Sequence, residues 1–226
     1  MVFWAAIAAA LSAPGCEGIS GIATFLMGSP KVEAVYVLSN RSTLVLVDDP
    51  EIRLGDPALA GVVASNVAYA LVEHEVLQSQ IVSQEDLVQV ANRLGQDFLT
   101  TPIDEIGRML GAEQVIYVSI EQTQLQVEPG LYRPAAIVDV KVIDATVGKR
   151  IFPEPVPRTS SFSVAPGHRL VVRPTHRRIG VVERGVKAAL ANKLAVQIGL
   201  DVARMFFDWK KPEPGSRLGK VLKPGS

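Results

Sequence analysis

The chain has 226 residues, 48% of them hydrophobic, and its Lys and Arg together equal its Asp and Glu at 23 each. That length holds one domain with a full core and excludes two large ones. Balanced charge excludes a global attraction to nucleic acid, and a single cysteine excludes a disulfide framework.

The lone cysteine stands behind an apolar leader, Val2 to Ala13, in the context Leu11-Ser12-Ala13-Pro14-Gly15-Cys16. An apolar stretch, small residues at the cut and a cysteine to accept a diacylglyceryl group are the parts of a bacterial lipoprotein signal. The lipobox is imperfect: Ala13 stands where Leu is usual, Pro14 where Ala or Ser is usual, and Met1 to Ala13 carries no Lys or Arg. The missing charge suggests a true start codon upstream of Met1, or a poor signal. The expectation is a signal peptide over 1–15, lipidation at Cys16 and a tether over 16–42. Glu17 rather than Asp follows the cysteine, which by the sorting pattern of lipoproteins points to the outer membrane, facing the periplasm. A spanning helix needs about 20 apolar residues, and this run is shorter. A buried N-terminal element with an inert core cysteine is the competing reading, against which the small, Gly-rich Glu17–Gly21 suits a tether.

After the tether, Thr43 to Val47 is a short apolar run closed by Asp48-Asp49-Pro50, the pattern of a strand buried on both faces and placed at the sheet centre. Asp56-Pro57 opens a helix with Leu59, Val63, Val67, Ala70 and Leu77 as its buried stripe. Gln80 to Val82 predicts a brief strand. Ser83 and Asp86 are spaced as a capping box before a second helix, with Leu87, Val90, Ala91 and Leu94 on its apolar face. Thr101-Pro102 and Asp104 start a third, which Gly111 stops.

Val115 to Ile120 is continuously apolar and passes into alternation at Thr123, Leu125 and Val127, so a long strand leaves the core at its far end. Ala136, Val138, Val140 and Val142 alternate with Asp139 and Lys141 in an antiparallel return strand. Thr146 to Lys149 turns towards Ile151-Phe152, with short strands expected at Phe162–Val164 and Leu170–Val172. The last element is a long helix from about Val182 to Trp209 with the stripe Val186, Leu190, Leu194, Ile198 and Val202. Residues 210–226, rich in Pro, Gly and Lys, predict a disordered tail. The expected class is thus α/β: a mixed sheet with a long antiparallel hairpin, three short helices and one long C-terminal helix packed on the sheet, all within 43–209.

Few residues suggest chemistry. His74, His168 and His176 have no ligand spacing, so no metal or other cofactor is expected. His74 falls in register with the first helix stripe and reads as a partly buried structural residue. Asp48-Asp49 after a strand is how receiver domains hold Mg²⁺ beside a phosphoacceptor, but the third aspartate-ended strand is missing, since Asp97 follows a helical stripe. A glycan hydrolase using carboxylates such as Asp48 and Glu73 is the other enzymatic alternative. The basic residues concentrate at Arg158, Arg169, Arg173, Arg177, Arg178, Arg184 and Lys187. Of these, Arg169, Arg173, Arg177 and Arg178 are the candidate partner-binding residues, because Arg pairs with carboxylates and stacks on aromatic rings.

From Thr43 to about Trp209 the pattern resembles the small αβ domain shared by the curli-secretion lipoprotein family, the N-terminal domain of the Tol translocation protein and lipoprotein activators of penicillin-binding proteins. The matching pieces are the strand Leu44 to Val47 and the hydrophobic-Ser-x-x-Asp-Leu step from Ile81-Val82-Ser83 to Leu87. Two more are the Leu110-Gly111-Ala112 step into Ile116, and the turn from Val142-Ile143-Asp144 to Gly148. The resemblance implies a non-enzymatic adaptor, activator or assembly role among envelope proteins, with the membrane reached through a lipid. The curli relatives build a pore from additional amphipathic hairpins. No pair of segments here alternates over a spanning length, so no pore is expected.

Overall fold

The computed structural model describes residues 30–78, 81–128, 131–155, 167–174 and 185–211. Its elements in chain order are β1 (Lys31–Val32), β2 (Thr43–Asp48), α1 (Ala58–Glu73), α2 (Gln84–Leu94), α3 (Ile103–Met109), β3 (Gln114–Glu128), β4 (Leu131–Asp144), β5 (Lys149–Phe152), β6 (His168–Val172), α4 (Val186–Ala203) and β7 (Trp209–Lys210). Residues 33–208 form one compact unit, and β1 with β7 belong to another.

In the larger unit the sheet runs β2-β3-β4-β5, with β6 also paired to β4. Only β2 and β3 are parallel; the remaining pairs are antiparallel, and β3 with β4 form the expected long hairpin. The expected mixed α/β class with its long C-terminal helix is therefore the observed one. Beyond Ile120 the hairpin passes a bulge and continues as far as Glu128 paired with Leu131. Fifteen and fourteen residues exceed the ~10 that cross a bilayer as strand. The first half of the pair, however, is occupied as domain core, with Val115, Ile116, Val118, Val138, Val140 and Val142 fully buried.

Alternation along the strands divides the core. Val45, Ile116, Val118, Ile120, Val138, Val140 and Val142 face α1 and α4, meeting Val63, Val67, Leu194, Ile198 and Val202. Each such buried aliphatic side chain contributes roughly 1.5–3 kcal/mol relative to exposure. The helices can approach closely because Gly199 has no Cβ. One placed there would lie 2.6 Å from the Asn66 Cβ and 2.7 Å from the Val63 carbonyl oxygen. On the other face Leu44, Leu46 and Val115 pack under Leu87 of α2 and Ile106 of α3.

The local signals act largely as their chemistry suggests. The Asp56 carboxylate accepts from Ala58 N–H at 2.9 Å. Ser83 Oγ caps α2 by accepting from Glu85 and Asp86 N–H at 3.1 and 3.3 Å, and its own hydroxyl donates to Glu85. Gly111 adopts φ 70°, the left-handed stop, and lets Ala112 N–H donate back to the Gly107 carbonyl at 2.9 Å. Asp144 Oδ1 accepts from Thr146 N–H and its hydroxyl, shaping the turn that ends at Gly148. Ser83, Gly111 and Asp144, among the residues that carried the resemblance, are thus caps and turn formers.

Several expectations need correction. β2 is not central: β3 and β4 are, and among the described residues β2 has only β3 as a strand neighbour. Its burial misled because both faces are covered while the free edge is closed locally. Val82 N–H donates to the Thr43 carbonyl at 2.9 Å and Gln84 Nε2 to the Val45 carbonyl at 3.0 Å. The strand expected at 80–82 amounts to one bridge between Ile81 and Thr43, Gln80 lying outside the described residues. The last helix stops at Ala203 rather than Trp209, followed by a 3-10 turn over Arg204–Phe206. There the Met205 carbonyl accepts from Val35 and Tyr36 N–H, and Phe207 turns extended, so the helical ladder ends. Trp209 instead pairs with Val32. The proposed strand at 162–164, the helix start at 182–184 and the tail from 212 lie outside the described residues.

Candidate functional site: the open half of the outer sheet face

Following the outward register of the strands away from the α2 and α3 cover, side chains change from apolar to polar. Leu46 gives way to Asp48 on β2; Val115 and Tyr117 give way to Ser119 and Glu121 on β3; Ile143 gives way to Lys141 and Asp139 on β4. No helix of the described residues packs over this half.

These polar groups are held in place by one another. Arg169 on β6 forks onto Asp139 on β4, Nε to Oδ1 at 2.9 Å and Nη2 to Oδ2 at 3.2 Å. The Asp139 side chain is only 8% exposed, whereas that of Arg169 is 60% exposed. A nearly buried carboxylate is costly unless paired, so the arginine is what makes Asp139 tolerable there. The same carboxylate raises the pKa of the guanidinium. The Tyr117 hydroxyl donates to Asp48 Oδ2. Burial first, and the Asp48 carboxylate second, push the phenol above its ordinary value, so it stays a donor. Lys141 Nζ lies 5.7 Å from the Tyr117 ring centroid. Ser119 Oγ donates to Glu121 Oε1 at 2.7 Å. Further along lies a shallow depression of about 140 Å³, lined by Gln122, Gln124, Ala135, Ile137, Val171 and Arg173.

The candidates from sequence distribute unevenly over this face. Arg169 and Arg173 lie on it. Arg177, Arg178 and Cys16 lie outside the described residues. Missed from sequence were Asp139, Tyr117, Lys141 and Glu121, which are distant in the chain and meet only through strand pairing. The one available signal was the pair Asp139 and Lys141, the polar members of the alternation in β4.

The residues weighed for catalysis serve other roles. Asp48 accepts from Tyr117, while Asp49 accepts from Arg53 and Leu54 N–H at 2.8 and 3.0 Å and shapes the turn after β2. Glu73 lies near the opposite end of β2 from Asp48, since the chain just after α1 bonds Gln78 N–H to Asn40. His74 is an exposed helix C-cap stacked on Phe207 at 4.0 Å rather than a member of the buried stripe, because α1 ends one residue before it. His168 lies 5.5 Å from the Phe152 ring in the edge strand β6.

No family model matches the chain, and no curated protein matches it. Solved structures with a related chain path include a lipoprotein of Neisseria meningitidis, 14% identical with a TM-score of 0.42, covering 70% of this chain and 97% of that one. The PelC dodecamer of Paraburkholderia phytofirmans is 12% identical with a TM-score of 0.37, covering 79% and 96%. The C-terminal domain of LpoB from Salmonella enterica is 18% identical with a TM-score of 0.38, covering 62% and 88%. Overlap at this level concerns chain path and does not transfer a function.

Proposed function

We propose that this chain is a lipoprotein of the bacterial envelope, anchored at Cys16 and facing the periplasm from the outer membrane. Its αβ unit acts as a non-enzymatic adaptor or assembly module for other envelope proteins. The lipobox-like context of Cys16 and the Gly-rich residues behind it support the anchor.

The observation that carries the adaptor role is the open half of the sheet. Its charges already have partners, Asp139 with Arg169 and Asp48 with Tyr117. A general acid or base must be free to exchange a proton near working pH, and the tyrosine here is driven away from that range. Groups fixed before contact lose little freedom on binding, and a mixed-charge pattern selects a complementary protein surface.

Two experiments test the reading. Mass spectrometry of the mature N-terminus should find Cys16 acylated, and a Cys16→Ala variant should leave the membrane fraction; an unmodified cysteine sinks the anchor. A photo-crosslinking residue placed at Glu121 should form a discrete protein adduct in intact cells, whereas one at exposed Ser65 on α1 should not. Equal adducts at both positions, or Mg²⁺-dependent phosphorylation or glycan hydrolysis by the pure protein, would overturn the adaptor role.

A further inference from the structure

The open half of the sheet sorts its charges by strand. Pairing in register sets Asp48 on β2, Ser119 on β3, Asp139 on β4 and Arg169 on β6 in one row. Within that row Asp139 and Arg169 neutralise each other at 2.9 Å. Asp48 and, further along β3, Glu121 keep their negative charge, since their hydrogen-bond donors Tyr117 and Ser119 are neutral hydroxyls. Lys141 on β4, set over the neutral Tyr117 ring, and the exposed Arg173 just past β6 keep a positive one. The β2–β3 side of the face is thus acidic and the β4–β6 side basic.

This pattern is complementary to itself under one symmetry operation. Consider a second copy laid on the face, related by a two-fold axis that runs parallel to the strands between β3 and β4. Its β6 then lies over β2 and its β4 over β3, so the acidic side of each copy meets the basic side of the other, twice. A two-fold axis running across the strands sets acid over acid and base over base, which is repulsive.

Between the charges, Ile137 on β4 and its neighbour Val171 on β6, the latter 52% exposed, give the contact an apolar part. Four strands about 4.8 Å apart and the outward positions from Tyr117 to Gln124, at about 3.3 Å per residue, make a face of at most roughly 20 by 23 Å. Two such faces bury no more than about 900 Å², the size of a transient contact rather than a permanent one. A pair of this size releases readily and leaves the face available to other envelope proteins.

We infer that the open sheet face is the contact of a transient two-fold dimer of this chain, in which the acidic side carrying Asp48 and Glu121 meets the basic side carrying Lys141 and Arg173 of a second copy. This rests on the reading of that face as a protein-binding surface and names a second copy as a protein it binds.

A photo-crosslinking residue at Gln122, exposed on this face, tests it in the full chain in intact cells. An adduct of two copies of the chain should form there and not from the same residue at Ser65. Adducts with different proteins alone would overturn the dimer and leave the binding surface standing, whereas no adduct at all would overturn both. Glu121→Lys and Arg173→Glu should each lower the yield of the two-copy adduct at least about tenfold, because each swap removes the attraction at both crossings. Both variants should keep the wild-type melting temperature. Expressed together under different tags, they should recover the adduct between them, since one of the two crossings regains its wild-type charges. A yield that Glu121→Lys leaves unchanged or raises, or a mixture no better than either variant alone, would overturn the two-fold arrangement.

Discussion

The outer face of the sheet contains two halves built on the same strands. Near the starts of β2 and β3, Leu44, Leu46 and Val115 are buried beneath α2 and α3. A few residues further along, Asp48, Ser119 and Glu121 occupy the same outward register and face a layer of paired charges. Backbone pairing is continuous across the boundary, so the strands do not make the difference. The helical cover stops where the outward side chains turn polar, and the polar half must then satisfy its own groups through Asp139–Arg169 and Asp48–Tyr117.

The contrast yields predictions in descending order of effect. On the covered half, Leu46→Asp places an unpaired carboxylate under α2 and α3. A loss of several kcal/mol should unfold the domain or bring its thermal melt near ambient temperature. A variant that still melts cooperatively at the wild-type temperature would show that α2 and α3 do not seal this half.

On the open half, Arg169→Ser should lower the denaturant midpoint of unfolding, because Asp139 stays nearly buried without its partner. The exposure of the arginine keeps the loss below that of a fully buried pair. Adding Asp139→Asn should recover most of it, and an additive double mutant would mean the two side chains do not interact. Replacing all four candidate arginines together would therefore mix a folding effect with any effect on binding, and Arg173 is the cleaner single probe.

A third prediction concerns the turn after β4. The Thr146 hydrogen bond, aided by Arg41, holds the Asp144 carboxyl down to about 2 from an ordinary 3.8. A depressed folded-state value stabilises fully above about pH 4 and is lost as pH falls through about 2. The contribution, about 1–2 kcal/mol, should disappear over that window. Asp144→Asn should be less stable at neutral pH and show a flatter acid limb in unfolding curves recorded between those values. An unchanged acid limb would remove Asp144 from the account. Last and smallest, Val171→Ser on the open half removes a side chain that is 52% exposed and should shift stability by no more than about 0.5 kcal/mol. A larger loss would mean the depression is covered.

Much of the local structure was legible along the chain because its causes are local. Ser83 caps a helix wherever its hydroxyl meets the next N–H groups, Gly111 stops one because only glycine enters the left-handed region cheaply, and Asp144 bends its own turn. The alternation of Ala136, Val138, Val140 and Val142 likewise told which side chains go inward.

Long-range placement was not legible in this way. An apolar run such as Thr43 to Val47 records that both faces are covered but not how many strands flank it, so an edge strand closed by Val82 and Gln84 resembled a central one. The end of α4 depended on Met205 bonding to Val35 and Tyr36, some 170 residues earlier in the chain. The charged face depended on the β4–β6 register that sets Asp139 opposite Arg169. Sequence alone thus determined the elements, their caps and their inward faces, since those forces act between near neighbours. Tertiary structure decided the strand order and the open charged face, since both follow from hydrogen-bonded pairing between segments whose separation in sequence carries no trace of their contact.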